Sequence, residues 1–226
     1  MSSLSTATGS GQKPNTPSRP RYKVTGWRVV GSEWAKLWSL RSTGITLVLA
    51  LLFLLTAGIF ANYQYHSTYN AGHVDSDFAH STAVDLSLFG TPFAQLAIGV
   101  LGVLVMAGQY STGMIRSTLA AVPRRPLVLW SKAALYGLVA LLVSTTGTLL
   151  SFLLNSPMVS GTPAAKTLLD PGVLRCLLGA GLYLGLVGVI SIALGALLRS
   201  VAGGISVLVG VFLLVPVLAQ LLPNSW

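Results

Sequence analysis

The stretch "GITLVLALLFLLTAGIFAN", residues 44–62, carries no charged side chain along its whole length. An α-helix rises 1.5 Å per residue, so about 20 apolar residues are enough to cross a hydrocarbon core roughly 30 Å thick. The stretch therefore predicts a transmembrane helix.

Four further apolar runs follow, at about 88–109, 130–154, 176–198 and 203–222. Hydrophobic residues make up 53% of the chain and charged residues only 8%, whereas soluble domains contain about 25% charged residues. Membrane-spanning strands would instead give alternating segments of about ten residues, and the sequence has none of these. These features predict an all-α integral membrane protein with five spans in a transmembrane domain of residues 43–226.

The N-terminal region has two predicted parts. Residues 1–25 are rich in Ser, Thr, Gly and Pro, and this composition is typical of a disordered tail. Residues 26–42 place Trp27, Trp34 and Trp38 on one face of a predicted helix, with Lys36 beside it. This pattern predicts an amphipathic helix in the lipid headgroup layer. A simple basic anchor is the alternative.

The placement of charge predicts the topology. Of the 14 lysines and arginines, all but Lys166 and Arg175 fall on one side of an alternating five-span path. The positive-inside rule assigns that side to the cytoplasm, so the N-terminus and the connection between the second and third spans are predicted to be cytoplasmic. The predicted location of the protein is therefore the plasma membrane. Orientation and anionic lipids account for the net charge of +9 without a nucleic-acid partner.

The spans show no ionisable side chain at depth, although ion-coupled transporters and intramembrane enzymes usually need one. The sequence also lacks the G-x-x-x-x-G-K-[ST] loop that cradles nucleotide phosphates. We therefore expect neither catalysis nor a bound cofactor in this chain. A membrane domain of this kind is passive, structural, or driven by a partner.

A polar loop after the first span is the one candidate metal site. It contains His66, His73, Asp75, Asp77 and His80, and both ligand types suit transition metals. The spacing matches no closed zinc pattern, which favours a solvated loop and no metal.

Small residues recur in the fourth span, at Gly181, Gly185, Gly188 and Gly195. Such spacing lets helix backbones approach closely. Internal packing is the favoured interpretation, and a contact with another subunit is the alternative. Pro216 is predicted to kink the fifth span.

The segment between the second and third spans combines an apolar flank with basic residues. Tyr110, Met114 and Ile115 begin this flank on a predicted short helix over 110–122, which Pro123 ends. From the residues alone, a docking helix and a solvated loop that only sets topology are equally supported.

Two stretches resemble a known family. "EWAKLWSLRST" (33–43) and "QYSTGMIRSTLAAVPRRPLVLWSKAAL" (109–135) are similar to the ABC-2-type permeases, the membrane subunits of bacterial ABC exporters. The resemblance implies that two permease subunits form the path and that separate ATPase subunits bind ATP and Mg²⁺. It also implies that residues 110–125 form a coupling segment that docks on the ATPase. The implied contact residues are Tyr110, Ser111, Thr112, Gly113, Met114, Ile115, Arg116, Pro123, Arg124 and Arg125.

This chain departs from the family pattern in two respects. Gln109 stands where the family often has Glu, and five spans are predicted where the family usually has six. Two other functions stay open: a membrane scaffold or assembly factor that does not transport, and a metal-handling protein that uses the His/Asp loop. The sequence does not predict the substrate.

Overall fold

A computed structural model describes Gly31 and residues 41–72, 80–113 and 125–220. The predicted tail and the predicted interfacial helix, with Trp27, Trp34, Lys36 and Trp38, lie outside these residues except for Gly31 and the last two positions of the helix.

The described residues form helices and contain no β-strand. In chain order the α-helices are α1 (Arg41–Asn70), α2 (Ala83–Ser87), α3 (Thr91–Ser111), α4 (Arg125–Asn155), α5 (Val173–Leu198), α6 (Val201–Val209) and α7 (Val215–Gln220). A 3₁₀-helix (Ser156–Val159) follows α4, and a π-helical turn (Gly210–Leu214) joins α6 to α7.

In the described part of the chain, five helical segments are long and apolar enough to cross a membrane: Thr43–Asn70, Ala83–Ser111, Leu129–Val159, Val173–Leu198 and Val201–Leu218. They confirm an all-α integral membrane protein with five spans. The connections alternate between two ends of the bundle. The basic end holds residues 41, 111–113, 125 and 199, and the opposite end holds residues 71–72, 80–82 and 160–172.

Helices α4 and α5 pack along each other, α5 also packs on α3, and α1 lies against α3 and α4. The core between them includes the fully buried side chains of Leu54, Ile98, Tyr136 and Leu184. The fifth span is peripheral, because only Gly204 and Leu208 of its first helix are buried. The bundle is therefore built on the first four spans.

Glycines hold α5 close to α4. A Cβ on Gly181 would lie 2.8 Å from Thr145 Cα, and a Cβ on Gly185 would lie 3.1 Å from Leu141 Cα. Gly188 similarly faces Tyr136. These contacts confirm internal packing. They exclude a subunit contact through the same faces, because α4 already covers them.

The ends of two spans differ from the predictions. Helix α1 continues to Asn70 rather than ending near residue 62, so the prediction that His66 lies in a loop was wrong, whereas its side chain is exposed as predicted. The Thr68 hydroxyl donates to Gln64 O at 3.0 Å, which is helical geometry in a polar sequence. Hydropathy locates where a span leaves the apolar core but does not detect a polar helix that continues beyond it.

The second span is broken. Helix α2 carries a capping box between Thr82 and Asp85, and the chain then turns at residues 88–90 before α3 begins. A Cβ on Gly90 would lie 2.6 Å from Leu54 Cα, so this turn sits directly on α1. The predicted span 88–109 missed α2.

The π-helical turn lies just before Pro216. Proline has no N–H and its ring clashes with the carbonyl four residues earlier, so a wider turn relieves both problems. The structure thus shows a π-helical turn at the place where the sequence predicts a kink.

Candidate functional site

The Tyr-Ser-Thr-Gly sequence at the basic end terminates α3. The Gly108 carbonyl accepts hydrogen bonds from the Ser111 hydroxyl at 2.9 Å, the Thr112 hydroxyl at 2.9 Å and the Thr112 amide at 3.1 Å. The Gly113 amide donates to Tyr110 O at 3.2 Å, and Gly113 has a φ of +70°. A left-handed glycine after the cap is a common way to end a helix. These four residues therefore form a helix stop.

This stop changes the interpretation of the predicted short helix. Tyr110 and Ser111 belong to α3, so the prediction that Tyr110 begins the flank of a separate helix over 110–122 was wrong. Because a regular right-handed helix does not include a residue in the left-handed conformation, α3 cannot continue through Gly113. Among the other implied contact residues, Arg125 is the first residue of α4, whereas Met114, Ile115, Arg116, Pro123 and Arg124 lie outside the described residues.

Arg199 joins the end of α5 to the end of α3. Its guanidinium carbon lies 5.8 Å from the centre of the Tyr110 ring, within the range of a cation–π contact. The Tyr110 ring also packs against the main core. Arg199 is the one described residue other than glycine with a positive φ, +51°, and its amide donates to Gly195 O at 3.1 Å. The structure thus connects Tyr110 to a residue that the sequence treats only as a topology charge.

Lys132 is buried at the same end, with only 3% of its surface exposed. From the sequence it counts as a basic residue at the entrance of the third span. Burial of a charge is costly, so a lysine inside a helix bundle marks a site of structural or functional importance. The sequence pattern could not have predicted that Lys132 is buried, because the positive-inside rule already accounts for a lysine at the end of a span.

Two buried oxygen atoms belong to residues near the same ends of their helices. Thr43 Oγ1, at the start of α1, and Gln109 Oε1, near the end of α3, have no hydrogen-bond partner among the described residues. The basic end therefore combines a helix stop, a buried lysine and two buried oxygen atoms without a hydrogen-bond partner.

The candidate metal ligands of the polar loop, for which the sequence favours no metal, do not form a centre in the described part of the chain. His66 and His80 are described, and no group of three His, Cys, Asp or Glu side chains there could hold a metal ion. His66 Nδ1 lies 3.2 Å from Asn70 Nδ2, one turn along α1. His73, Asp75 and Asp77 lie outside the described residues.

The connection 160–172 at the opposite end borders a cleft of about 380 Å³ lined by residues including Phe152, Leu168 and Lys166. The Thr167 amide donates to Asp170 Oδ2 at 2.8 Å, and this bond, aided by the charge of Lys166, lowers the pKa of the Asp170 carboxyl. The bond therefore stabilises the turn at neutral pH and is lost as the pH falls through the lowered pKa.

No protein-family model, no curated protein and no solved structure matches this chain.

The helix stop leads to a prediction about Gly113. No atom lies within 4 Å of the position that a Cβ at Gly113 would occupy. A larger residue there is therefore disfavoured only by the positive φ and not by a clash. We expect Gly113→Val to lower the free energy of unfolding by about 1–2 kcal/mol, the cost of a left-handed conformation for a residue with a Cβ. Gly113→Asn should cost less, because Asn tolerates that conformation. Unfolding of the purified protein in mixed detergent micelles measures the difference.

Gly108→Ala is the matched control, because Gly108 is helical and its Cβ position is also open. That variant should be as stable as the wild type or slightly more stable. Equal stabilities for the Val and Asn variants at position 113 would contradict the left-handed helix stop.

Proposed function

We propose that this chain is the membrane subunit of an ATP-driven exporter in the plasma membrane, and that it couples to a separate ATPase subunit. The observation that carries the proposal is the stop of α3 at Tyr110–Gly113. It falls on the motif that resembles the ABC-2-type permeases, and it ends α3 directly before the basic, partly apolar segment of the sequence.

In this function the chain performs no bond chemistry. The partner subunit binds and hydrolyses ATP with Mg²⁺, and a second permease subunit completes the path. The close packing of α4 and α5 supports a rigid-body mechanism, because closely packed helices move as a unit rather than deform. The Tyr110–Arg199 contact would join movement at the coupling segment to α5 and the start of α6.

A membrane scaffold is the second candidate. It is favoured by the lack of an ionisable group deep in the spans and by the concentration of basic residues at one end. In that case the segment after α3 only fixes orientation and binds no ATPase.

Reconstitution with an ATPase separates the two candidates. The chain is co-expressed with each phosphate-loop ATPase subunit encoded in the same genome that lacks a membrane domain of its own, and both are reconstituted in lipid nanodiscs. The exporter function predicts that one ATPase co-purifies with the chain and hydrolyses ATP faster in its presence. The absence of any co-purifying ATPase across the full set would overturn the proposal.

The proposed orientation predicts a labelling pattern for single cysteines. In a Cys176→Ser background, Lys166→Cys should react with a membrane-impermeant maleimide in intact cells, whereas Ser111→Cys should react only after lysis. Both positions are exposed, so accessibility differs only by the side of the membrane. A cysteine inserted after Leu222 should also react from outside, since five spans place it opposite the N-terminus. The reverse pattern for Lys166→Cys and Ser111→Cys would contradict the assignment of the basic end to the cytoplasm.

A further inference from the structure

A cluster of buried polar groups lies towards the opposite end of the bundle, where α1, α2 and α4 meet. We call it the Gly58 cluster. It comprises Gly58 and Asn62 of α1, Ser87 of α2, and Ser151 and Asn155 of α4. The four polar side chains have no exposed surface. All five residues belong to helical segments that are long and apolar enough to cross a membrane.

Three hydrogen bonds are made within the cluster. The Ser151 hydroxyl donates to Ser87 O at 2.7 Å, and Asn155 Nδ2 donates to Ser151 Oγ at 3.2 Å. Asn62 Nδ2 donates to Gly58 O at 2.8 Å. The two carboxamide oxygens, Asn62 Oδ1 and Asn155 Oδ1, have no partner among the described residues. Each buried acceptor without a partner costs about 1–3 kcal/mol, so the cluster favours a ligand that satisfies both.

The break in the second span adds a third acceptor. In a continuous helix Ser87 O would accept the amide of Thr91, but that amide donates instead to Leu88 O at 2.9 Å. The Ser87 carbonyl at the end of α2 therefore receives only the Ser151 hydroxyl and keeps its second lone pair. The position of a Cβ on Gly58 is 2.9 Å from this oxygen and 2.9 Å from Asn155 Nδ2. Only glycine at 58 lets the three helices bring these groups together.

The chemistry of the cluster selects its ligand. The groups left without a partner include three neutral acceptor sites, Asn62 Oδ1, Asn155 Oδ1 and the second lone pair of Ser87 O, and the cluster contains no positively charged side chain. Each carboxamide nitrogen keeps one N–H outside the bonds of the cluster. A cation satisfies several such oxygens at once. Divalent ions prefer carboxylates, which the cluster lacks, so the set suits a monovalent ion. Carbonyls at the C-terminal ends of broken membrane helices are known ligands of Na⁺.

We propose that the Gly58 cluster binds one monovalent cation of the size of Na⁺, with Asn62 Oδ1, Asn155 Oδ1 and Ser87 O as ligands. The site joins α1, the break in the second span and α4. The bound ion stabilises the contact of these three elements. The inference is independent of the proposed exporter function, because it depends only on the bundle.

Ion-dependent stability tests the site. The full chain is purified in detergent and unfolded by heat in NaCl or in choline chloride at equal ionic strength, with Trp fluorescence as the readout. Na⁺ binding predicts a saturable rise in the unfolding temperature with Na⁺ that choline does not produce. Equal stability in the two salts would mean that the cluster holds water only and would overturn the proposal.

Three variants test whether the Na⁺-dependent rise in unfolding temperature arises at the Gly58 cluster. Asn62→Leu and Asn155→Leu each remove one ligand oxygen at similar side-chain volume and should abolish the Na⁺ response. Thr146→Val is the matched control in α4, because Thr146 is exposed and its hydroxyl bonds only to its own helix. It should keep the full response. A response that survives in both Leu variants would also overturn the site.

Asn155→Asp covers the case in which the Leu variants do not fold. It keeps the shape of the side chain and adds a negative charge beside the proposed ion. We expect half-saturation at a Na⁺ concentration at least about tenfold lower, the factor that 1.4 kcal/mol produces. Loss of the response in Asn155→Asp would contradict cation binding.

Discussion

Replacement of Gly181 by valine should prevent the bundle from forming. The first side-chain atom at this position would lie 2.5 Å from Thr145 Oγ1 and 2.8 Å from Thr145 Cα. The hydroxyl can rotate away, but the backbone cannot, so α4 and α5 must separate along their contact. Overpacking of a well-packed core usually costs about 1–3 kcal/mol, and a clash with backbone should reach at least the upper part of that range.

Gly179→Val is the matched control for this prediction. Gly179 lies in the same helix, is exposed, and has no atom within 4 Å of its Cβ position. Fluorescence-detected size-exclusion chromatography of the two variants, fused to a fluorescent protein, measures the fraction that is monodisperse. We expect a wild-type profile for the variant at 179 and mainly aggregate for the variant at 181. Matching profiles would refute the close contact of α4 with α5.

An aspartate at Met114 or Ile115 should abolish coupling to the ATPase. The exporter function places both side chains in the apolar flank that enters the partner, and buried anchors carry most of the energy of an interface. An unpaired carboxylate there should weaken binding by at least 2 kcal/mol, or about 30-fold. Pull-down of the ATPase and stimulation of ATP hydrolysis measure the loss. Expression and insertion should stay normal, because the segment is predicted to lie outside the bilayer.

Two controls make this prediction specific. Ser117→Asp introduces the same charge into the same segment, away from the predicted flank, and should retain binding. The double change of Arg124 and Arg125 to Ala should weaken binding less than either aspartate, since exposed charges contribute little to affinity. The scaffold function predicts the opposite order, in which the arginines matter and Met114 and Ile115 tolerate charge. Wild-type coupling in both aspartate variants would end the claim that this segment docks on an ATPase.

Parts of the candidate site were predictable from the sequence. The residues from Tyr110 to Gly113 were selected through their resemblance to a family, and the structure gives the physical role of that motif as a helix stop. The contact between Tyr110 and Arg199 could not be predicted, because it joins residues from two spans that are far apart in the chain. The Gly58 cluster could not be predicted from the sequence either, because Ser and Asn in an apolar run indicate that a hydrogen bond is made but not with which residue.

The amino-acid sequence was enough to predict five spans and, to within several residues, the bounds of four of them. The physical reason is that a hydrocarbon core of fixed thickness requires about 20 consecutive apolar residues. The helix faces that meet, the break in the second span and the burial of Lys132 could be seen only in the packed structure. In a membrane the side chains that face lipid and those that face the bundle are both apolar, so periodicity carries little information about their partners. Small steric features, such as the missing side chains of Gly58 and Gly181, set those contacts instead.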